Sequence, residues 1–211
     1  MKITILYDNE VWDKNLKPGW GFSCLVEAEG KILLFDTGAD GHILLDNMKK
    51  LHIDPMTVDT VFISHYHWDH TGGLADFLRL NPARLYIPSS CLEPRNAKEV
   101  VRVKHLLEIH ENIFSTGELM GIEQSLVVKQ KQGVILIAGC SHPGVREMIK
   151  AASQVGEVRG IIGGLHGFDQ FSLLENMEIV CATHCTLFKQ EIKTYYPDTY
   201  VEGGAGRIIE I

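Results

Sequence analysis

Short apolar runs, each bounded by Gly, Pro, Asp or Ser, alternate along this chain with segments whose apolar positions recur every three or four residues. The runs Lys2 to Tyr7, Phe22 to Ala28 and Lys31 to Phe35 read as strands, the last two joined by a tight Glu29-Gly30 turn, so the chain opens with antiparallel β structure. Ile43, Leu44, Leu45, Met48 and Leu51 fall at helical spacing between Gly41 and Leu51, and Val58 to Ser64 follows as a strand. Thr71 to Leu80 carries Leu74, Phe77 and Leu78 on one helical face, and Leu85 to Ile87 resumes as a short strand before Pro88. Asn96 to His110 is predicted as an amphipathic helix, with Val100, Val103 and Leu107 on one stripe and Arg95, Lys98, Arg102 and His105 on another. Strands then follow at Leu126 to Lys129, Val134 to Ala138, Gly160 to Ile162, Ile179 to Ala182 and Arg207 to Ile211, with helices at Gly144 to Ser153 and Leu187 to Tyr196. This is the alternation of an α/β protein, and with no linker or internal repeat it reads as one domain over residues 1–211.

At 211 residues and 45% hydrophobic, the chain can bury a substantial core without staples. Its formal charge of −7 argues against broad attraction to nucleic acid or to an anionic membrane, and no apolar run approaches the roughly 20 residues of a membrane span. The five cysteines lack a framework spacing and read as reduced thiols, which favours the cytoplasm. The expected partner is a small-molecule substrate, and homo-oligomerisation is left open.

The ten histidines change the picture. VFISH ends in His65, ILIAGCSH in His142, RGIIGGLH in His166 and EIVCATH in His184, so four apolar runs each deliver a histidine where an α/β sheet collects its ligands. The densest piece is VFISHYHWDHTGG, residues 61–73. Side chains two apart on extended backbone project the same way, so His65 and His67 can converge on one ion, while the turn after them can aim Asp69 and His70 at a neighbouring one. Imidazoles with a carboxylate suit zinc, with manganese or iron as alternatives, and Gly72 and Gly73 permit close backbone approach before the next helix.

His-x-His-x-Asp-His directly after a strand resembles the signature of the metallo-β-lactamase superfamily. The resemblance extends to FDTG at 35–38, GCSH at 139–142, GGLH at 163–166, THCT at 183–186 and a Gly-rich C-terminal turn. The GCSH and HCT elements look like the branch of dihydropterin-ribofuranosylaminobenzene-phosphate synthase-like metal-dependent hydrolases. It implies an αββα sandwich, two mixed β-sheets flanked by helices, with one or two metal ions at one edge. Residue by residue, His65 and His67 match the first metal site, Asp69 and His70 the second, and His184 the last histidine; His142 stands where another metal-reaching residue is expected. His166 has four readings: metal ligand, hydrogen-bond partner of the substrate, proton donor to a leaving group, or a side chain that only supports the ligands or packs in the core. Asp36, in the FDTG turn, would orient a ligand histidine or simply form the turn. The chain departs from the pattern in two ways. The extra histidine expected between the motif and the later strand is not evident, because His105 and His110 fall in the predicted helix rather than after a strand, and the strand ending at Ala138 runs into Gly139-Cys140 instead of a Gly-Asp pair. Cys140 is either a thiolate ligand or a small buried side chain. Cys181 and Cys185 read as packing or site-wall residues, and Gly203 to Gly206 as a turn near the site rather than a phosphate loop.

Cations held by imidazoles lower the pKa of water from 15.7 toward about 7, which gives hydroxide at neutral pH, with Asp69 to orient it. The expected activity is therefore metal-dependent hydrolysis of a small anionic, phosphorylated ester or a related substrate. Gly-x-Ser-x-Gly is absent. Arg95, Lys98 and Arg102 are candidates for recognising the anion, against a solvated helix face. The alternatives are a pterin-linked synthase expelling a phosphate group on the same site, a metal-binding protein without turnover, and an iron redox centre. Acidic charge and the lack of an RNA-binding extension weigh against a nuclease.

Overall fold

Alternation along the strands puts apolar side chains on both faces of two mixed sheets, so each sheet needs cover on both sides. A computed structural model describes residues 1–92, 94 and 96–211. Seven strands form the first sheet, in the order β13 (Ile208–Glu210), β1 (Lys2–Tyr7), β2 (Ser23–Ala28), β3 (Lys31–Phe35), β4 (Thr60–Phe62), β5 (Arg84–Pro88) and β6 (Glu99–Val103). Six form the second, in the order β12 (Ile179–Thr183), β11 (Val158–Gly164), β10 (Gly133–Ala138), β9 (Leu126–Gln130), β8 (Ile113–Ser115) and β7 (Leu107–His110).

Three apolar layers separate the elements. Ile3, Ile5, Phe35 and Phe62 of the first sheet meet Leu126, Val128, Ile135 and Ile137 of the second in a central core. The opposite faces are covered by helices: α1 (Gly41–Lys50) and α3 (Leu74–Leu80) bring Leu44, Met48, Phe77 and Leu78 onto Leu6, Leu34 and Leu85. On the second sheet, α4 (Val145–Ala152) and α5 (Lys189–Tyr195) bring Val145, Met148 and Ile192 onto Val134, Leu136 and Val180. The result is the expected αββα sandwich. No helix among the described residues is long and apolar enough to cross a membrane.

The helix expected over Asn96 to His110 does not form; the segment makes β6 and β7, which belong to different sheets. Val103 faces the central core while Val100 packs on the helix side, the period-two placement of a strand, whereas a helix would set them on one face. Three valines within five residues favour a pleated surface, and the open edge of β5 supplies the hydrogen-bonding partner. The segment's valines mimic helical spacing, and pairing with β5 overrides it. Strand β8 had no sequence signal. The helix expected from Thr71 starts earlier, as α2 (Trp68–Thr71), and breaks before α3.

Strand direction gathers the chemistry. β3, β4 and β5 are parallel, as are β10, β11 and β12. Asp36 follows β3, His65 follows β4, and Cys140, His142, His166 and His184 follow the three parallel strands of the second sheet.

Candidate metal centre

The turns that receive these strands are held in unusual conformations. Asp36, Ser141, His166 and His184 all have positive φ, between 50° and 62°, although none is glycine. Such residues cost free energy and persist where surrounding contacts determine them, as they do at sites of function. Close approach is also required. A Cβ on Gly139 would lie 2.2 Å from Ser64 Oγ, and one on Gly72 would lie 2.1 Å from the Ala39 carbonyl oxygen.

The donor atoms fall into two groups. In the first, His67 Nδ1 lies 3.1 Å from His65 Nε2 and 3.2 Å from His142 Nε2. In the second, Asp69 Oδ2 lies 3.4 Å from His184 Nε2 and 3.8 Å from His70 Nε2. Cys140 Sγ is 3.2 Å from His70 Nε2. His65, His70, Asp69, His184 and Cys140 are buried; His67 and His166 are exposed, and His142 is half-buried.

The far nitrogen of each buried imidazole is already engaged. His70 Nδ1 is 2.7 Å from Asp36 Oδ2, His65 Nδ1 is 2.9 Å from Ser64 Oγ, and His184 Nδ1 is 3.0 Å from Asn9 Oδ1. Protons shared there leave the Nε2 lone pairs facing the cluster, the arrangement that orients metal-ligating histidines. Asp36 in turn accepts from the Ser64 N–H at 2.7 Å and the Ser64 hydroxyl at 2.6 Å, and the Thr37 N–H and hydroxyl both hold the His70 carbonyl. The FDTG turn is thus a clamp on the metal motif.

Burial and neighbouring imidazoles hold the centre neutral. His65 and His70 are kept well below the usual histidine range by burial first and by adjacent histidines second, and His142 is held down to about 4 by burial, His67 and His166. Burial works to raise Asp69, but its contacts with His184 and His70 outweigh it and keep the carboxyl below its ordinary range. Neutral imidazoles and an ionised carboxylate are the protonation states that bind cations.

Two further acids brace the site. Glu123, fully buried, accepts from the N–H groups of Gly139, Cys140 and Ser141 through one oxygen and of His142 through the other, at 2.9–3.1 Å. Burial lifts its carboxyl to about 7 against the pull of those donors. Asp8 accepts from the Thr183 hydroxyl just before His184. Neither acid belongs to a recognisable motif, so sequence reading missed both, along with Asn9.

The residues present fit a metal. Tetrahedral zinc, with nitrogen at about 2.0–2.1 Å and sulfur at about 2.3 Å, sets neighbouring donors roughly 3.3–3.6 Å apart, close to the separations here. His184 Nε2 is buried with no hydrogen-bond partner, an orphan that a cation would satisfy.

Comparison with known proteins agrees with this geometry. The family description "Metallo-beta-lactamase superfamily" matches residues 17–106. The crystal structure of a metal-dependent hydrolase of the beta-lactamase superfamily superposes with a TM-score of 0.80 at 26% identity, covering 100% of this chain and 99% of that one. The chain has the fold of the metallo-β-lactamase superfamily. It is also 25% identical over 276 residues to 7,8-dihydropterin-6-methyl-4-(beta-D-ribofuranosyl)-aminobenzene-5'-phosphate synthase of Methanocaldococcus jannaschii, covering 97% of this chain and 92% of that protein. Ribonuclease Z of Chlamydia trachomatis is 35% identical over 91 residues, 42% of this chain and 29% of that protein.

Within this superfamily fold the expected ligand residues converge, and the expected basic stripe does not. Arg95 lies outside the described residues. Lys98 precedes β6 at the end of the sheet where β4 and β5 also begin, opposite the end that carries His65. Arg102 binds the carbonyls of Ser89 and Cys91 and so anchors the segment after β5. His105 is an exposed loop residue, and His110 ends β7 with its ring 3.1 Å from Thr60, at the start of β4. Cys185, read from sequence as wall, lies with its sulfur 3.4 Å from that of Cys140.

Beside the cluster, Ser141, Arg146, His166, Phe168 and Gln170 line a cavity of about 300 Å³. Arg146, exposed on the first turn of α4, is held by Gln170 Oε1 at 2.7 Å and 3.2 Å.

Proposed function

We propose that this protein is a metal-dependent hydrolase of small anionic esters, phosphorylated ones above all, working with two cations of which zinc fits the donors best. The observation that carries this reading is the pair of donor groups, His65, His67 and His142 facing Asp69, His70 and His184, with the His142 ring next to that of His166, which lines a neighbouring cavity with Arg146. Bound cations would supply Lewis-acid stabilisation of charge developing on a substrate oxygen and an acidified water at neutral pH. Asp69 is ionised and directed into the centre, so its carboxylate can accept a hydrogen bond from an attacking water and fix its direction. The exposed His166 ring stands with its centroid 4.9 Å from that of His142, on the cavity side, where it can protonate a departing group. Arg146 replaces Lys98 and Arg102 as the cation that receives the substrate anion, because it lines the cavity they do not reach.

A second reading, a synthase acting on a pterin-linked phosphate at the same site, draws on the similarity to the Methanocaldococcus enzyme along 97% of this chain. Metal stabilisation of phosphate oxygens serves both reactions.

Elemental analysis of protein purified without chelator, beside Asp69→Asn and with a phosphoester screen, tests the reading. Two ions per chain, with one in the folded variant and turnover lost by more than the roughly 10–100-fold that outer partners cost, is the expected result. Metal that raises thermal stability while no phosphoester, lactone or thioester turns over would leave a binding protein instead.

A further inference from the structure

Among the described residues, three sets of histidine and cysteine donors each lie with their ligand atoms within 4.8 Å: His65, Cys140 and His142; His70, Cys140 and His184; and Cys140, His166 and Cys185. One residue recurs in all of them. Its sulfur stands 3.2 Å from His70 Nε2 on the side of the second donor group and also within reach of the His65 and His142 nitrogens of the first. We propose that Cys140 supplies a bridging ligand, one thiolate sulfur shared by both cations where the superfamily pattern has an aspartate.

Three arguments support the bridge. The first is position: β10 ends at Ala138, and the Glu123 carboxylate fixes the N–H groups of residues 139–142, so the turn after the strand holds the Cys140 sulfur among histidines carried by both sheets. The second is charge. Two divalent cations meet five imidazoles and the single carboxylate of Asp69 in a largely buried site, and a second directly bound anion reduces the uncompensated charge that burial makes costly. The third is chemistry: sulfur has lone pairs for two ions, and a thiolate favours zinc, cobalt or iron(II) over magnesium or manganese. Ligation breaks the S–H bond, the sulfur keeps the electron pair for the ions, and the proton leaves to solvent. Cys185, 3.4 Å behind that sulfur, touches the bridge without joining the two main donor groups.

The inference rests on the proposed two-cation site but not on the reaction assigned to it. The test is a Co(II) titration of the metal-free protein, read by near-ultraviolet thiolate-to-cobalt absorption and by bound cobalt per chain, in wild type, Cys140→Ala, Cys140→Asp and Cys185→Ser. A bridge requires the absorption to grow through the first and the second equivalent in wild type and in Cys185→Ser. Cys140→Ala should lose the absorption and retain one ion, while Cys140→Asp should lose the absorption yet retain two. Absorption that saturates at one equivalent, survives Cys140→Ala, or vanishes in Cys185→Ser alone overturns the bridge, as does a wild type that binds one ion or none. The wild-type titration decides the matter even if a variant fails to fold. Cobalt binding with the full absorption in a protein that cleaves no ester upholds the bridge and removes the hydrolase reading; ester cleavage without the absorption does the reverse.

Discussion

His70 shows how a single side chain is made into a ligand. Its Nδ1 is tied to Asp36, its carbonyl is held by Thr37, and its Nε2 is left facing Asp69 and Cys140. Asp36→Asn should therefore keep the fold and weaken metal affinity by about 10–100-fold, as loss of an outer partner does; competition with a chromophoric chelator measures it, and an unchanged affinity would reduce Asp36 to a turn residue. Asp8 tests the electrostatics away from the donor atoms. Burial raises its carboxyl from 3.8 to about 6, so across that window the folded chain holds more protons than the unfolded chain, and stability falls as pH rises. Asp8→Asn removes this dependence. Between about pH 4 and about pH 7, wild type should lose on the order of 3 kcal/mol relative to the variant in urea unfolding, and parallel pH profiles would show that Asp8 titrates normally.

Strands set the geometry at the next scale. Phe62 ends β4 three residues before His65, is fully buried, and stacks on Phe35 of β3 with ring centroids 5.4 Å apart. Phe62→Ala should cost about 3–5 kcal/mol of unfolding free energy, and a loss below about 1 kcal/mol would mean that the central core does not fix the strand that carries the motif. The same scale explains where sequence reading failed. Apolar periodicity located nearly every strand and helix because each buries one face or both, and the four strand-end histidines were visible as a pattern before any contact was known. The segment 96–110 failed because Val100, Val103 and Leu107 satisfy a helical stripe, while the edge of β5, which recruits them as strand, lies elsewhere in the chain. The basic stripe expected there vanished with the helix.

For the molecule as a whole, the sandwich brings the ends of two parallel strand sets to one rim, and the metal donors and the Arg146 cavity meet there. Arg146→Gln should raise KM for anionic esters roughly tenfold, the worth of about one charge-assisted hydrogen bond, and leave kcat and the KM for uncharged esters nearly unchanged. Steady-state kinetics on a matched ester pair makes the comparison, and an equal rise for both substrates would place Arg146 in the scaffold instead of the anion site.

By itself the sequence determined the α/β class, the histidine-rich strand ends and the two halves of the His-x-His-x-Asp-His motif, because burial and side-chain spacing along a strand or a helical turn are local properties. Tertiary structure alone decided that Glu123 would hold the turn bearing Cys140, that Asn9 would fix His184, and that Cys140 would stand between donors from both sheets. Those relations join residues from 17 to 175 positions apart, and they exist only once the parallel strands have brought their ends together.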